Sequence, residues 1–189
     1  MHKNIAIFIS GKGSNAIEFM KQESQFNYRV ALLVSTITSS PALDFAKENK
    51  VATYTLEKED FLQEELLLKL LEDHQIELVV LAGFLWKIPE YLINKYPKGI
   101  VNIHPSLLPK FGGKGMYGMH VHRAVHQHQE EESGISIHWV NEQYDEGALI
   151  FQAKINLSRE DSPEMIAEKV LRLEHQHYPR VVHELCKSF

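Results

Sequence analysis

Residues 4–9, NIAIFI, form a short apolar, β-branched run that gives way to Ser10-Gly11-Lys12-Gly13-Ser14-Asn15 and then to apolar positions Ile17, Phe19 and Met20 at helical spacing. A β-branched apolar run is what a buried strand supplies, and the glycines after it supply a turn into a helix. The alternation repeats. Residues 29–35, RVALLVS, read as a second strand, Pro41 opens an amphipathic helix over 41–50, and 51–55 read as a brief third strand. Residues 60–74 set Phe61, Leu66, Leu67, Leu70 and Leu71 against Glu64, Glu65, Lys69 and Glu72, which predicts one surface helix covering a sheet. Residues 78–82, LVVLA, suit a central parallel strand buried on both faces; 89–96 follow as a short helix and 99–104 as the next strand.

Strands that alternate with helices in this way predict an α/β fold: a single domain over residues 1–189, doubly wound, with a mostly parallel sheet flanked by helices and right-handed crossovers. Beyond residue 117 the pattern changes to a helix over 118–128, strands over 134–140 and 149–156, and a closing helix over 162–186. The apolar stripe of that last helix is Ile166, Val170, Leu173 and Val181, which leaves Glu174 and His175 near its edge. Ligands of such sheets bind beyond the carboxyl ends of the strands, where the loops 11–15, 83–88 and 105–117 converge.

Composition narrows the function. A net charge of -5 and a pI near 6.1 argue against nucleic-acid binding driven by phosphate neutralisation. No apolar run approaches the roughly 20 residues needed to cross a bilayer, and residues 1–15 pass straight into strand-like sequence, so no membrane association and a cytoplasmic location are expected. Cys186 is the only cysteine, which excludes an intrachain disulfide and a thiolate metal cluster.

Residues 101–117, VNIHPSLLPKFGGKGMY, carry the densest chemistry. Asn102 and His104, two apart at a strand end, project to the same side. Pro105 and Pro109 prevent helix, and Gly112, Gly113 and Gly115 free the loop that follows. Residues 11–15 are a candidate phosphate cradle at a helix start, although they match neither GxGxxG nor GxxxxGK[ST]; a glycine turn with Ser14 or Asn15 as helix cap is the alternative. Asp145 lies at the break between two strand-like stretches. Local composition makes Asp145-Glu146-Gly147 a solvated hairpin turn; folded over His104, its carboxylate would instead favour the imidazolium and lift the histidine pKa toward working pH. His120, His122, His126 and His128 raise a metal or interaction role, with His122 and His126 four apart on a helix, but no thiolate or clear third ligand accompanies them.

Five stretches in order carry a resemblance: SGKGSN (10–15), AGFLWKIP (82–89), NIHPSLLPKF (102–111), GISIHWVNEQYDEGALIFQ (134–152) and LEHQHYP (173–179). Together the chain resembles the phosphoribosylglycinamide formyltransferases, folate-dependent enzymes of purine synthesis with a formyltransferase fold. The resemblance implies formyl transfer from 10-formyltetrahydrofolate, as co-substrate, to the amine of glycinamide ribonucleotide, without metal or covalent enzyme intermediate. It implies Asn102, His104 and Asp145 as the catalytic trio, Gly13, Ser14 and Asn15 at the substrate phosphate, and Glu174 at the ribose. It further implies a folate slot lined by Leu85, Trp86, Lys87 and Ile88, by Asn102, and by Asn141, Glu142, Gln143 and Tyr144, with Ser136 and His138 in support. The implied partners are glycinamide ribonucleotide and folate, with the chain a monomer or homodimer. The chain departs from the pattern in the long loop KFGGKGMYG and at Trp86 and Lys87, where many relatives have an arginine and an aliphatic residue. Methionyl-tRNA formyltransferase and formyltetrahydrofolate deformylase (a hydrolase) share the trio, but each is expected to need a further domain that 189 residues do not hold.

Overall fold

The computed structural model describes residues 2–188. The leading apolar run is strand β1 (Lys3–Ile9), and the helix after its glycine turn is α1 (Ser14–Gln22). There follow β2 (Tyr28–Ser35), α2 (Pro41–Glu48), β3 (Ala52–Thr55), α3 (Lys58–Phe61), α4 (Glu64–Asp73), β4 (Leu78–Leu81), α5 (Glu90–Lys95) and β5 (Ile100–His104). The second half supplies α6 (Met119–Gln127), β6 (Glu132–Trp139), β7 (Leu149–Asn156) and α7 (Pro163–Lys187). One seven-stranded sheet runs in the order β3-β2-β1-β4-β5-β6-β7; β1 to β5 pair in parallel and β6 and β7 are antiparallel.

β1 is apolar from Ile5 to Ile9 because both its faces are covered there. Ile5, Ile7 and Ile9 pack with Phe19 of α1, Val121 of α6 and Val170 and Tyr178 of α7, while Ala6 and Phe8 face Phe61, Leu67 and Leu71 on the other side. Each such fully buried large aliphatic or aromatic side chain stabilises the fold by about 1.5–3 kcal/mol. Edge strand β7 has water on one face and alternates accordingly, with Gln152, Lys154 and Asn156 exposed.

The single helix expected over 60–74 is two. α3 ends at Phe61 and α4 begins at Glu64, with Leu62 71% exposed between them. Both segments keep the helical period, so the stripe of leucines concealed the break. The stripe on α7 is also rotated: Ile166, Val170, Tyr178, Val182 and Cys186 are buried, whereas Leu173 and Val181 are half-buried.

The strand order reverses between β1 and β4, which lie side by side although β1 is followed in the chain by β2. That reversal opens a crevice at the carboxyl ends. The turns after β1 and β4 meet there: Ser10 donates its backbone N–H to Gly83 O at 3.1 Å, and Leu85 N–H donates to Ser10 Oγ at 3.1 Å. Tyr178 of α7 reaches the same edge from below, its hydroxyl 2.9 Å from Leu81 O and 3.1 Å from Val101 O.

Candidate active site

A cavity of about 590 Å³ occupies the crevice and is lined by the turns after β1, β4 and β5 together with the segment before β7. At one end, Gly13 caps α1 in a left-handed conformation (φ 71°), and no side chain closes the first turn of that helix. Neither Ser14 nor Asn15 acts as the cap. The helix start therefore keeps open N–H groups, and its dipole favours an anion. Only glycine fits at position 13, since a Cβ there would lie 2.5 Å from Ala42 Cβ and 2.9 Å from Ile9 Cδ1. Asn15 donates through Nδ2 to Glu174 Oε2 at 2.6 Å, which joins the loop to α7, while Asn15 Oδ1 is buried without a partner. Burial pushes the Glu174 carboxyl up to about 7 against the opposing hydrogen bond from Asn15.

The reactive groups sit at the end of β5. Asn102 pairs in register with His138 of β6, and His104 with Ser136. His138 donates Nδ1–H to Trp139 O at 2.9 Å; a carbonyl can only accept, so the proton is on Nδ1 and Nε2 is free to accept from Asn102 Nδ2 at 3.1 Å. That bond orients the Asn102 amide, whose second N–H has no partner among the described residues. Ser136 holds the turn after β5, donating to Ser106 O at 2.7 Å and accepting from Leu108 N–H at 2.9 Å and Gln152 Nε2 at 2.8 Å.

Asp145 is turned inward from its hairpin, its side chain only 12% exposed, and does not face solvent as its local sequence suggests. Its Oδ2 is 3.4 Å from His104 Nδ1 and accepts from Gly113 N–H at 2.9 Å, and its Oδ1 is 3.6 Å from His138 Nε2. Burial raises the Asp145 pKa, but His138, His104 and the Gly113 N–H together bring it below the ordinary carboxylate range. The expected upward shift of His104 is not found. Burial, with a smaller push from His138, lowers its pKa by more than Asp145 and the Phe111 carbonyl raise it, so the ring is neutral near pH 7. Its Nε2–H donates to Phe111 O at 2.7 Å, which leaves Nδ1 as a bare lone pair facing the carboxylate. A proton arriving at Nδ1 turns that contact into an ion pair.

The cavity is also lined by Leu85, Trp86, Lys87 and Ile88 and by Asn141, Gln143 and Tyr144; Glu142 is exposed and outside it. Leu85 and Tyr144 are 46% and 40% exposed, an open apolar rim. Trp86 packs on Phe61 and Phe84, with ring centroids 5.3 and 5.9 Å apart. Lys12, Lys87 and Lys114 line the cavity and form no ion pair among the described residues. The cluster of histidines on α6 does not converge: His120, His126 and His128 are exposed, and only His122 is buried and borders the cavity. Motif reading missed the backbone of Phe111 and Gly113, which no side-chain pattern advertises, and His122 as a cavity residue, which its burial beside Val121 and Val125 distinguishes.

A family model described as formyl transferase matches residues 3–182. The chain is 38% identical over 193 residues to a protein named phosphoribosylglycinamide formyltransferase, chloroplastic, of Arabidopsis thaliana, covering 98% of this chain and 66% of that protein's length. It is 32% identical to phosphoribosylglycinamide formyltransferase of Bacillus subtilis, covering 97% of this chain and 94% of that one. The crystal structure of phosphoribosylglycinamide formyltransferase from Anaplasma phagocytophilum superposes with a TM-score of 0.90 at 28% identity, over 100% of this chain and 89% of that chain. A sheet of this order, a crevice at its point of reversal and these matches lead to one conclusion: the chain belongs to the formyl transferase family.

Proposed function

We propose that the chain transfers the formyl group of 10-formyltetrahydrofolate to the primary amine of glycinamide ribonucleotide, a step of de novo purine synthesis. The observation that carries this reading is that Asn102, His104 and Asp145 line one cavity with an anion cradle and an apolar rim, Asp145 in contact with His104. The amine nitrogen bonds to the formyl carbon and the carbonyl electron pair moves to oxygen, where the unused N–H of Asn102 donates to the developing charge. A donor of this kind contributes about 3–4 kcal/mol to the transition state. His104 Nδ1 takes the proton that the amine sheds, and Asp145 stabilises the imidazolium. When the carbonyl re-forms, the bond from carbon to the folate nitrogen breaks and the same proton passes to that nitrogen.

The helix α1 start with Gly13, Ser14 and Asn15 suits a phosphate, and Glu174 suits the ribose hydroxyls. The exposed lysines Lys12, Lys87 and Lys114 favour entry of anionic ligands. The cytoplasm is the proposed compartment, since a chain with one thiol suits reducing surroundings. The test is the absorbance change on release of the deformylated folate, followed with and without glycinamide ribonucleotide. Release only in the presence of the ribonucleotide, with formylated ribonucleotide formed in equal amount, is the expected result. Release without it would make the chain a hydrolase, and no release from folded, folate-bound protein would overturn the assignment.

A further inference from the structure

Among the buried polar groups that the reaction above leaves unused, His122 stands apart. It lies at the fourth position of α6, only 6% exposed, and borders the cavity. Its Nδ1 is sealed without a partner, and Nε2, which is not sealed, makes no hydrogen bond among the described residues. A ligand in the cavity can therefore reach Nε2 but not Nδ1. The ring shares the cavity lining with Asn102, His104 and Asp145 and feels His104 electrostatically; burial and that neighbour bring its pKa down to about 4.

A neutral imidazole carries one N–H. On Nδ1 it would be a buried donor with nothing to meet, whereas on Nε2 it can be matched from the cavity, so the Nε2–H form prevails. His122 is thus an uncharged donor on the wall of the cavity that Asn102, His104 and Asp145 also line. In an α-amino amide the group one carbon away from the amine is a carbonyl, an acceptor that needs such a donor. An uncharged one neither protonates the nucleophile nor competes with His104 for Asp145.

We propose that His122 is a substrate-binding residue whose Nε2–H donates to the amide carbonyl of the amine substrate and fixes the approach of its nitrogen to the formyl carbon. This rests on the transfer reaction proposed above, so wild-type turnover is measured first: its failure would sink that reaction, and the comparison below bears on His122 alone. His122→Phe fills the same space without a donor, and His122→Gln restores an N–H at similar reach. The expected result is a rise of about tenfold or more in KM for glycinamide ribonucleotide in His122→Phe, the equivalent of one lost hydrogen bond. The KM for the folate should stay unchanged, and most of the loss should be recovered in His122→Gln. Circular dichroism and folate binding check that both variants are folded. Wild-type KM for the ribonucleotide in His122→Phe, or equal damage in both variants with the folate KM raised in parallel, would overturn the proposal in favour of a packing role.

Discussion

Asp145→Asn keeps the shape of the side chain, and its amide oxygen can still accept from Gly113 N–H, so the substitution isolates the charge. In the wild type Asp145 Oδ2 lies 3.4 Å from His104 Nδ1, and both side chains are largely buried. Coulomb's law at that separation with an effective dielectric constant of about 20 gives roughly 5 kcal/mol of attraction once the ring is protonated. Withholding both groups from water cancels part of it, so about 3–4 kcal/mol remains to stabilise the imidazolium. That corresponds to a loss of about 10² to 10³ in kcat for Asp145→Asn. The carboxylate is also the largest influence raising the pKa of His104 against burial, so its removal moves the histidine titration to still lower pH. Single-turnover rates from pH 5 to 9, with imidazole nitrogen resonances followed by NMR, measure both effects. A kcat within tenfold of wild type and an unmoved His104 titration, in a folded variant, would refute the role assigned to the pair.

Gly13→Ala forces a non-glycine residue into φ 71° and sets its Cβ 2.5 Å from Ala42 Cβ, a combination that costs about 2–4 kcal/mol. Thermal unfolding should fall by roughly 5–15 °C, with KM for the ribonucleotide raised; an unchanged Tm contradicts the geometry of the turn. Glu174 has a pKa raised to about 7 from 4.5, so its favourable protonated state is held below pH 4.5 and lost as pH rises through 7. The loss is at most roughly 3 kcal/mol, and less because solvent reaches the cavity. Glu174→Gln should therefore match wild-type stability at pH 4 and exceed it at pH 8 while binding the ribonucleotide more weakly; a stability difference that does not vary with pH would show that the carboxyl is unperturbed.

The sheet was legible because β1, β2 and β4 are apolar on both faces, a pattern that needs no distant information. The pairing of Asn102 with His104 was legible for the same reason, since both stand on one strand end. Asp145 was legible through the resemblance rather than through its surroundings: Asp145-Glu146-Gly147 has the composition of a solvated turn, and only pairing of β5 with β6 and β6 with β7 carries that turn across to His104. The protonation of His104 escaped, because burial is a property of the packed whole and here outweighs the neighbouring charge. The break after Phe61 left no mark, as neither glycine nor proline accompanies it. Glu174 read as a residue at a helix edge, and its meeting with Asn15 joins positions 159 apart in the chain.

The grip of the glycine segment on His104 and Asp145 is made entirely by main-chain atoms, Phe111 O and Gly113 N. Substitutions that preserve the route of the chain leave that grip intact, so lineages can exchange the residues of this stretch, and with them the outer surface shown to arriving molecules, while the proton-handling centre beneath stays as it was.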